Sequence, residues 1–212
     1  MKSETNNILK NFNKRNIIYF VLYLFTYTFV YYIAGIINSH YTVKFYNIST
    51  VVDKYIPYIS LFIIPYIIFY IYIIIAPLYI SLLDDYTYKK FIISAIIGSI
   101  LGGLTFIIRP TCFIEYNLNN NNFLEYIHIL IRKFCSPGAY FPSFHCFLAW
   151  LIYLSINNTT LQNIKKNKFL TVSSIICIST LFTKQHGIID VIGGILLAEI
   201  SWKFSKKINF KI

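Results

Sequence analysis

The sequence predicts an all-α integral membrane protein that crosses the bilayer six times. Of its 212 residues, 57% are hydrophobic and only 13% charged, with a mean hydropathy of +0.60. A soluble domain carries about 25% charged residues, and half that share leaves too little polar surface to face water on all sides. The apolar residues are also gathered into long tracts, and a helical crossing of the hydrocarbon core needs about 20 of them. Six tracts stand between polar or charged breaks, at 17–38, 56–82, 91–108, 142–156, 169–183 and 187–204. Runs of this length favour helices over buried strands, although they are rich in Ile and Tyr.

Each tract has its own signals. The first follows basic residues, but its apolar run is longer than the 7–15 or so residues of a signal core and no small-residue cleavage site follows, so a retained anchor is expected. The second contains Pro57, Pro65 and Pro77, which predict a kinked or tilted helix with ragged ends. The fourth and fifth are short, with ends close to the headgroups. In the sixth, Glu199 and Lys203 are four residues apart, the spacing of an ion pair snorkelling to the inner interface. The whole chain, 1–212, reads as one membrane domain, with a cytoplasmic segment at 1–16, an outer loop at 109–141 and a cytoplasmic tail at 205–212.

Charge sets the orientation. With the N-terminus cytoplasmic, the outer segments hold six of the nineteen Lys and Arg residues, namely Lys44, Lys54, Arg109, Arg132, Lys133 and Lys184; the inner segments hold the other thirteen. That follows the positive-inside rule. The net charge of +11 is then matched by anionic inner-leaflet lipid, and no nucleic-acid partner is expected, because no soluble basic face exists. The expected location is the plasma membrane.

Within the outer loop, Asn117 and Asn119 to Asn122 form a low-complexity linker with no assigned function. In 123–134, apolar Phe123, Ile127, Leu130 and Phe134 alternate with polar Glu125, His128 and Arg132, the spacing of an amphipathic helix. Such a helix lies on the outer leaflet; a sharper reading has it guide lipid to a site. Ser136-Pro137-Gly138 predicts a turn.

Few ionisable residues interrupt the apolar tracts, and those at their outer edges converge. Arg109 ends the third tract, His145 begins the fourth, and Lys184, His186 and Asp190 lie between the fifth and sixth. An ionisable group costs about 3 kcal/mol at a span's centre, so groups of this kind mark a site when they gather. On a helix His186 and Asp190 share a face, where the carboxylate fixes the tautomer of the imidazole and leaves Nε2 as a nucleophile. Pro142-Ser143 reads as a helix start, which favours a bound anion beside His145. His145 can protonate a leaving oxygen, Arg109 presents a planar fork to phosphate, and Lys184 adds a point charge. Phosphoryl transfer rests on positioning and charge neutralisation, so this set suffices without a metal.

At these residues the chain resembles the type 2 phosphatidic acid phosphatase superfamily, which also includes the vanadium-dependent haloperoxidases. Its three blocks are Lys, six residues, Arg-Pro; Pro-Ser-Gly-His; and Ser-Arg, five residues, His, three residues, Asp. Here they read Ile108-Arg109-Pro110, Pro142-Ser143-Phe144-His145, and Ser179-Thr180 through His186 to Asp190. The resemblance implies that His186 is the phosphorylated nucleophile, Asp190 its partner and His145 the acid. It also implies that Arg109 is a phosphate ligand; Ser143 and Phe144 at the helix start, and Lys184 in place of a missing family cation, are the other residues expected at the phosphate. Three positions depart from the pattern: the family Lys falls at Gly102, the Gly of the second block is Phe144, and the Arg of the third is Thr180. The variant blocks look most like the branch with inositol phosphorylceramide synthases.

The expected activity is metal-independent hydrolysis of a phosphorylated lipid through a phosphohistidine, at the extracytoplasmic face. Two alternatives stand beside it: transfer of a phospho-headgroup between lipid alcohols, and a catalytically inactive scaffold or transporter that has lost two family cations. No cofactor or metal is expected, since Cys-x-x-Cys, zinc spacing and phosphate-binding glycine loops are all missing from the sequence. Cys146 and Cys177 read as small apolar fillers, Cys112 and Cys135 leave a disulfide open, and His40 and His128 read as isolated interfacial residues.

Overall fold

A computed structural model describes residues 14–41, 44–113, 116, 118 and 122–208. Most of the expected N-terminal segment, the Asn117 and Asn119–121 part of the linker, and the end of the tail lie outside the described residues. The order is α1 (Lys14–Tyr41), β1 (Tyr46–Asn47), α2 (Val51–Tyr55), a 3-10 turn (Ser60–Phe62), α3 (Ile63–Leu83), α4 (Asp85–Ile108), β2 (Thr111–Cys112), α5 (Phe123–Arg132), α6 (Phe144–Asn157), α7 (Asn163–Phe182) and α8 (Ile188–Lys206). Each of the six apolar tracts becomes a helix.

Among the described residues, three helical stretches are by length and composition apolar enough to cross a membrane: Lys14–Tyr41, Ser60–Leu83 and Asp85–Ile108. α1 leaves Ile17, Ile18, Val21, Leu22, Phe25, Phe29 and Ile36 exposed, a contiguous apolar surface that water would not tolerate on a soluble protein and that hydrocarbon accepts. In the second tract, Pro57 precedes the helix, Pro65 lies in its first turn, where a missing N–H costs little, and Pro77 alone is interior. α4 extends the third tract back to Asp85 because Asp84 caps it, its carboxylate accepting the Tyr86 and Thr87 N–H groups at 3.2 and 3.1 Å.

α6 is the hub. Its 14 residues span about 21 Å. Phe144, Phe147, Leu148, Leu151, Ile152 and Ile156 are all buried, because α3, α4, α7 and α8 pack around it. α8 approaches α6 closely at Gly194, where a Cβ would strike the Ser143 carbonyl oxygen and sit 2.9 Å from Cys146 Cβ. α1 packs chiefly on α4.

Beyond the helices, β1 and β2 pair in parallel, Tyr46 with Thr111 and Asn47 with Cys112, tying the segment after α1 to the segment after α4. The Ser136–Gly138 turn forms as expected: Gly138 has φ +77, Ala139 N–H reaches the Ser136 carbonyl at 3.3 Å, and Asn38 Nδ2 donates to the Pro137 carbonyl at 2.9 Å. Cys112 and Cys135 are free thiols, so the disulfide left open is not formed. The Glu199 carboxylate accepts the Trp150 indole N–H at 3.1 Å, a partner inside the helix packing rather than the expected ion pair with Lys203.

Candidate active site

Local folding explains where His186 sits. α7 ends in a Schellman motif: Lys184 takes a left-handed φ of 55°, its N–H bonds the Leu181 carbonyl at 3.0 Å, and Gln185 N–H bonds the Thr180 carbonyl at 3.1 Å. Gly187 is the N-cap of α8. His186 is the single residue between the two devices, with its own N–H on the Thr180 carbonyl at 3.1 Å. The His186–Asp190 pair is therefore not made across one helix face, as the four-residue spacing suggests. Asp190 turns back from the first turn of α8, its Oδ2 accepting Gly187 N–H at 2.8 Å and standing 3.5 Å from His186 Nδ1. Asp190 is fully buried and His186 nearly so. With Nδ1 toward the carboxylate, Nε2 is on the opposite edge of the ring.

Ser143 starts α6, its Oγ accepting Cys146 N–H at 3.4 Å, and Ser143 N–H donates to the Asp190 carbonyl at 3.0 Å. That bond joins the second and third sequence blocks directly. His145 is the second residue of the helix, with Tyr66 and Phe69 at ring-centroid distances of 4.5 and 4.4 Å and His186 at 5.7 Å. His145 Nε2, His186 Nδ1 and Asp190 Oδ1 are buried without a hydrogen-bond partner among the described residues. Unmade bonds of this kind cost about 1–3 kcal/mol each, and their concentration in one place marks groups kept for a ligand or a reaction.

Both imidazoles line a cavity of about 430 Å³. Its wall is aromatic: Tyr27, Tyr31, Tyr32, Tyr66, Tyr70, Tyr140 and Phe144 contribute, and among the described residues that line it none is Lys or Arg. The expected phosphate-binding cations lie elsewhere. Arg109 caps α4 and places its guanidinium over the Tyr46 ring, 5.0 Å from the centroid. Lys184 directs Nζ to the Asp53 carbonyl oxygen at 2.7 Å; burial lowers its pKa, partly offset by the Asp53 charge. Arg132 donates to the Tyr116 carbonyl at 2.8 Å.

The departures from the family blocks are occupied positions. Phe144 points its ring at Gly102, where an added Cβ would collide with it, so the expected Lys and Gly are exchanged here for a Gly and an aromatic facing it. Thr180 is fully buried with Oγ1 3.8 Å from Cys146 Sγ.

Two residues that sequence reasoning passed over hold the His186 turn. Asp53, buried in α2, accepts Ile188 N–H on Oδ1 at 2.9 Å while Oδ2 accepts Thr50 N–H at 2.6 Å, so a carboxylate from 135 positions away caps the start of α8. His128 is fully buried rather than interfacial. The Gln185 amide donates to its Nε2 at 2.5 Å, which puts the ring proton on Nδ1, facing the Tyr58 hydroxyl at 3.3 Å. For Asp53 the only signal was the Thr-x-x-Asp capping box at Thr50. His128 had none, since its partners are remote in sequence.

A family model described as the PAP2 superfamily matches residues 43–204, which covers all three blocks and the helices that carry them. The chain belongs to the PAP2 superfamily. No curated protein and no solved structure matches it. Membership supports a phosphatase-like or phosphotransferase-like function on lipid phosphate, and with the apolar helices it supports an integral membrane protein. Among the described residues no three His, Cys, Asp or Glu side chains are grouped to hold a metal ion.

Proposed function

We propose that this PAP2-superfamily chain hydrolyses a phosphorylated lipid through a phosphohistidine on His186. The observation that carries this reading is the pair of imidazoles, 5.7 Å apart on one cavity wall, with a buried carboxylate behind one of them and an unpartnered Nε2 on the other. In the first step His186 Nε2 attacks phosphorus and the P–O ester bond breaks. The electron pair leaves with the alcohol oxygen, which takes a proton from His145. In the second, water attacks phosphorus, gives its proton to His145 and displaces His186. Asp190 stabilises the charge that His186 acquires, and Tyr66 and Phe69 hold His145 in place. With no cation in the wall, the start of α6 at Phe144 and His145 and the tyrosine hydroxyls supply the donors for phosphate. The scheme needs no metal.

In the bilayer, the reading places six crossings, with α6, about 21 Å long, as a short one whose ends stay close to the headgroups. α7 and α8 have 20 and 19 residues, about 30 and 28 Å, enough for the hydrocarbon core; Lys165, Lys166 and Lys168 at the start of one and Asp190, Glu199 and Lys203 in the other lower their hydropathy. The positive-inside count supports an extracytoplasmic site.

The aromatic, cation-free wall favours a second reading, in which a lipid alcohol rather than water resolves the phosphohistidine. Purified protein in detergent with EDTA, given phosphatidic acid, phosphatidylglycerol phosphate and polyprenyl diphosphate with and without diacylglycerol or ceramide, separates these outcomes. Release of inorganic phosphate supports hydrolysis, a new phospholipid on adding acceptor supports transfer, and neither product from any donor supports the inactive scaffold.

A further inference from the structure

α5 turns its polar side inward. Glu125 and His128 are 8% and 0% exposed, and Arg132 reaches back to the Tyr116 carbonyl. On the opposite side Phe123, Tyr126 and Leu130, and Phe134 just beyond the helix, are 74%, 49%, 36% and 71% exposed. Their spacing of three, four and four residues makes one continuous stripe. A helix covering a protein in water has the reverse arrangement, so this stripe is matched to an apolar surrounding.

Position identifies that surrounding. α5 packs against the Ser60–Phe62 turn, which begins the membrane-crossing stretch Ser60–Leu83. It is therefore level with the end of a span, where hydrocarbon meets headgroups and where amphipathic helices lie in the membrane plane. Its C-terminal end is continuous with the cavity: Ile131 and Phe134 belong to the same wall as His145 and His186. Lys133, exposed between them, suits a phosphate headgroup.

We infer that the outward face of α5 is seated in the acyl region of a phospholipid leaflet, so that the cavity opens at Phe134 onto lipid and not onto water. The seat rests on the membrane reading of the apolar helices.

Fluorescence of added tryptophans tests this without any turnover, so a chain lacking phosphatase activity answers it equally well. Full-length Tyr126→Trp and Phe134→Trp are placed in dioleoyl phosphatidylcholine vesicles with or without phosphatidylcholine brominated on its acyl chains. Each is read as the difference from the parent, which has two tryptophans. Both positions are exposed, so either substitution leaves the packing intact. The expected result is at least twofold quenching by brominated lipid at both positions and little quenching by aqueous iodide. Iodide quenching without brominated-lipid quenching at Phe134 would overturn the inference. Protection from both quenchers would overturn it too, because a second copy of the chain or another protein would then cover the stripe.

Discussion

Asp53 is the residue whose removal should disturb the site most without touching the substrate. It accepts the Ile188 N–H and carries the carbonyl that receives Lys184 Nζ, so it fixes the turn on which His186 stands. Asp53→Ala strands a half-buried N–H, at a cost of about 1 kcal/mol. We predict a matching loss of thermal stability in detergent and a lower turnover rate, with Asp53→Asn, which keeps an acceptor oxygen, intermediate in both. His128 gives a second prediction. Burial, then the Arg132 guanidinium, lowers its pKa to about 4 from an ordinary 6.5. Between those values the unfolded chain binds a proton that the folded chain does not, so stability falls as pH falls from 6.5 through 4; above 6.5 the group is neutral in both states and has no effect. Melting temperature followed across that window should therefore decline, and His128→Gln, whose amide oxygen can accept from Gln185, should flatten the decline. Neither residue was legible as functional beforehand, because each acts on a segment more than 50 positions away.

Among the elements, α4 and α6 carry a paired replacement. Gly102 and Phe144 fill each other's space, so changing one alone should strain the packing: Gly102→Ala overpacks, at about 1–3 kcal/mol. Phe144→Ala leaves a void, at about 3–5 kcal/mol. A double-mutant cycle of thermal stabilities should give a favourable coupling of about 1–3 kcal/mol, since the void accepts the new methyl group; additive effects would show that the two positions are independent. Much at this scale was readable from sequence. The apolar tracts located every long helix, Pro-Ser located the start of α6, and the period of 123–134 located α5. What periodicity left out was how helices end. The Schellman motif at Lys184 and the Gly187 cap set His186 outside any helix, and Lys at a left-handed position is not a residue that announces such a turn. The pattern of 123–134 pointed the apolar side of α5 to lipid, but that the protein would bury Glu125 and His128 beneath it was not readable from spacing.

For the molecule as a whole, composition sufficed for a membrane protein and the three blocks sufficed for the family, which the match over residues 43–204 bears out. Bringing the blocks together took the fold: a backbone bond from Ser143 to Asp190 and the close α6–α8 approach at Gly194 set the two imidazoles on one wall. Arg109 and Lys184 both fall at the outer edges of the apolar tracts, yet contacts with Tyr46 and Asp53 direct them elsewhere, a choice that depends on partners with no fixed spacing to the motif. The account accordingly predicts modest effects, under about tenfold, for Arg109→Ala on turnover, against loss of activity for His186→Ala or His145→Ala, because mutation of a residue outside the reacting set removes only diffuse electrostatics. The central claim is a covalent bond between phosphorus and His186. It is tested most directly by quenching the purified protein with alkali during turnover of ³²P-labelled phosphatidic acid and locating the label. The account predicts alkali-stable, acid-labile radioactivity on the peptide containing His186 and none in His186→Ala; turnover by the wild type without such a label, or a label that survives in His186→Ala, would contradict it.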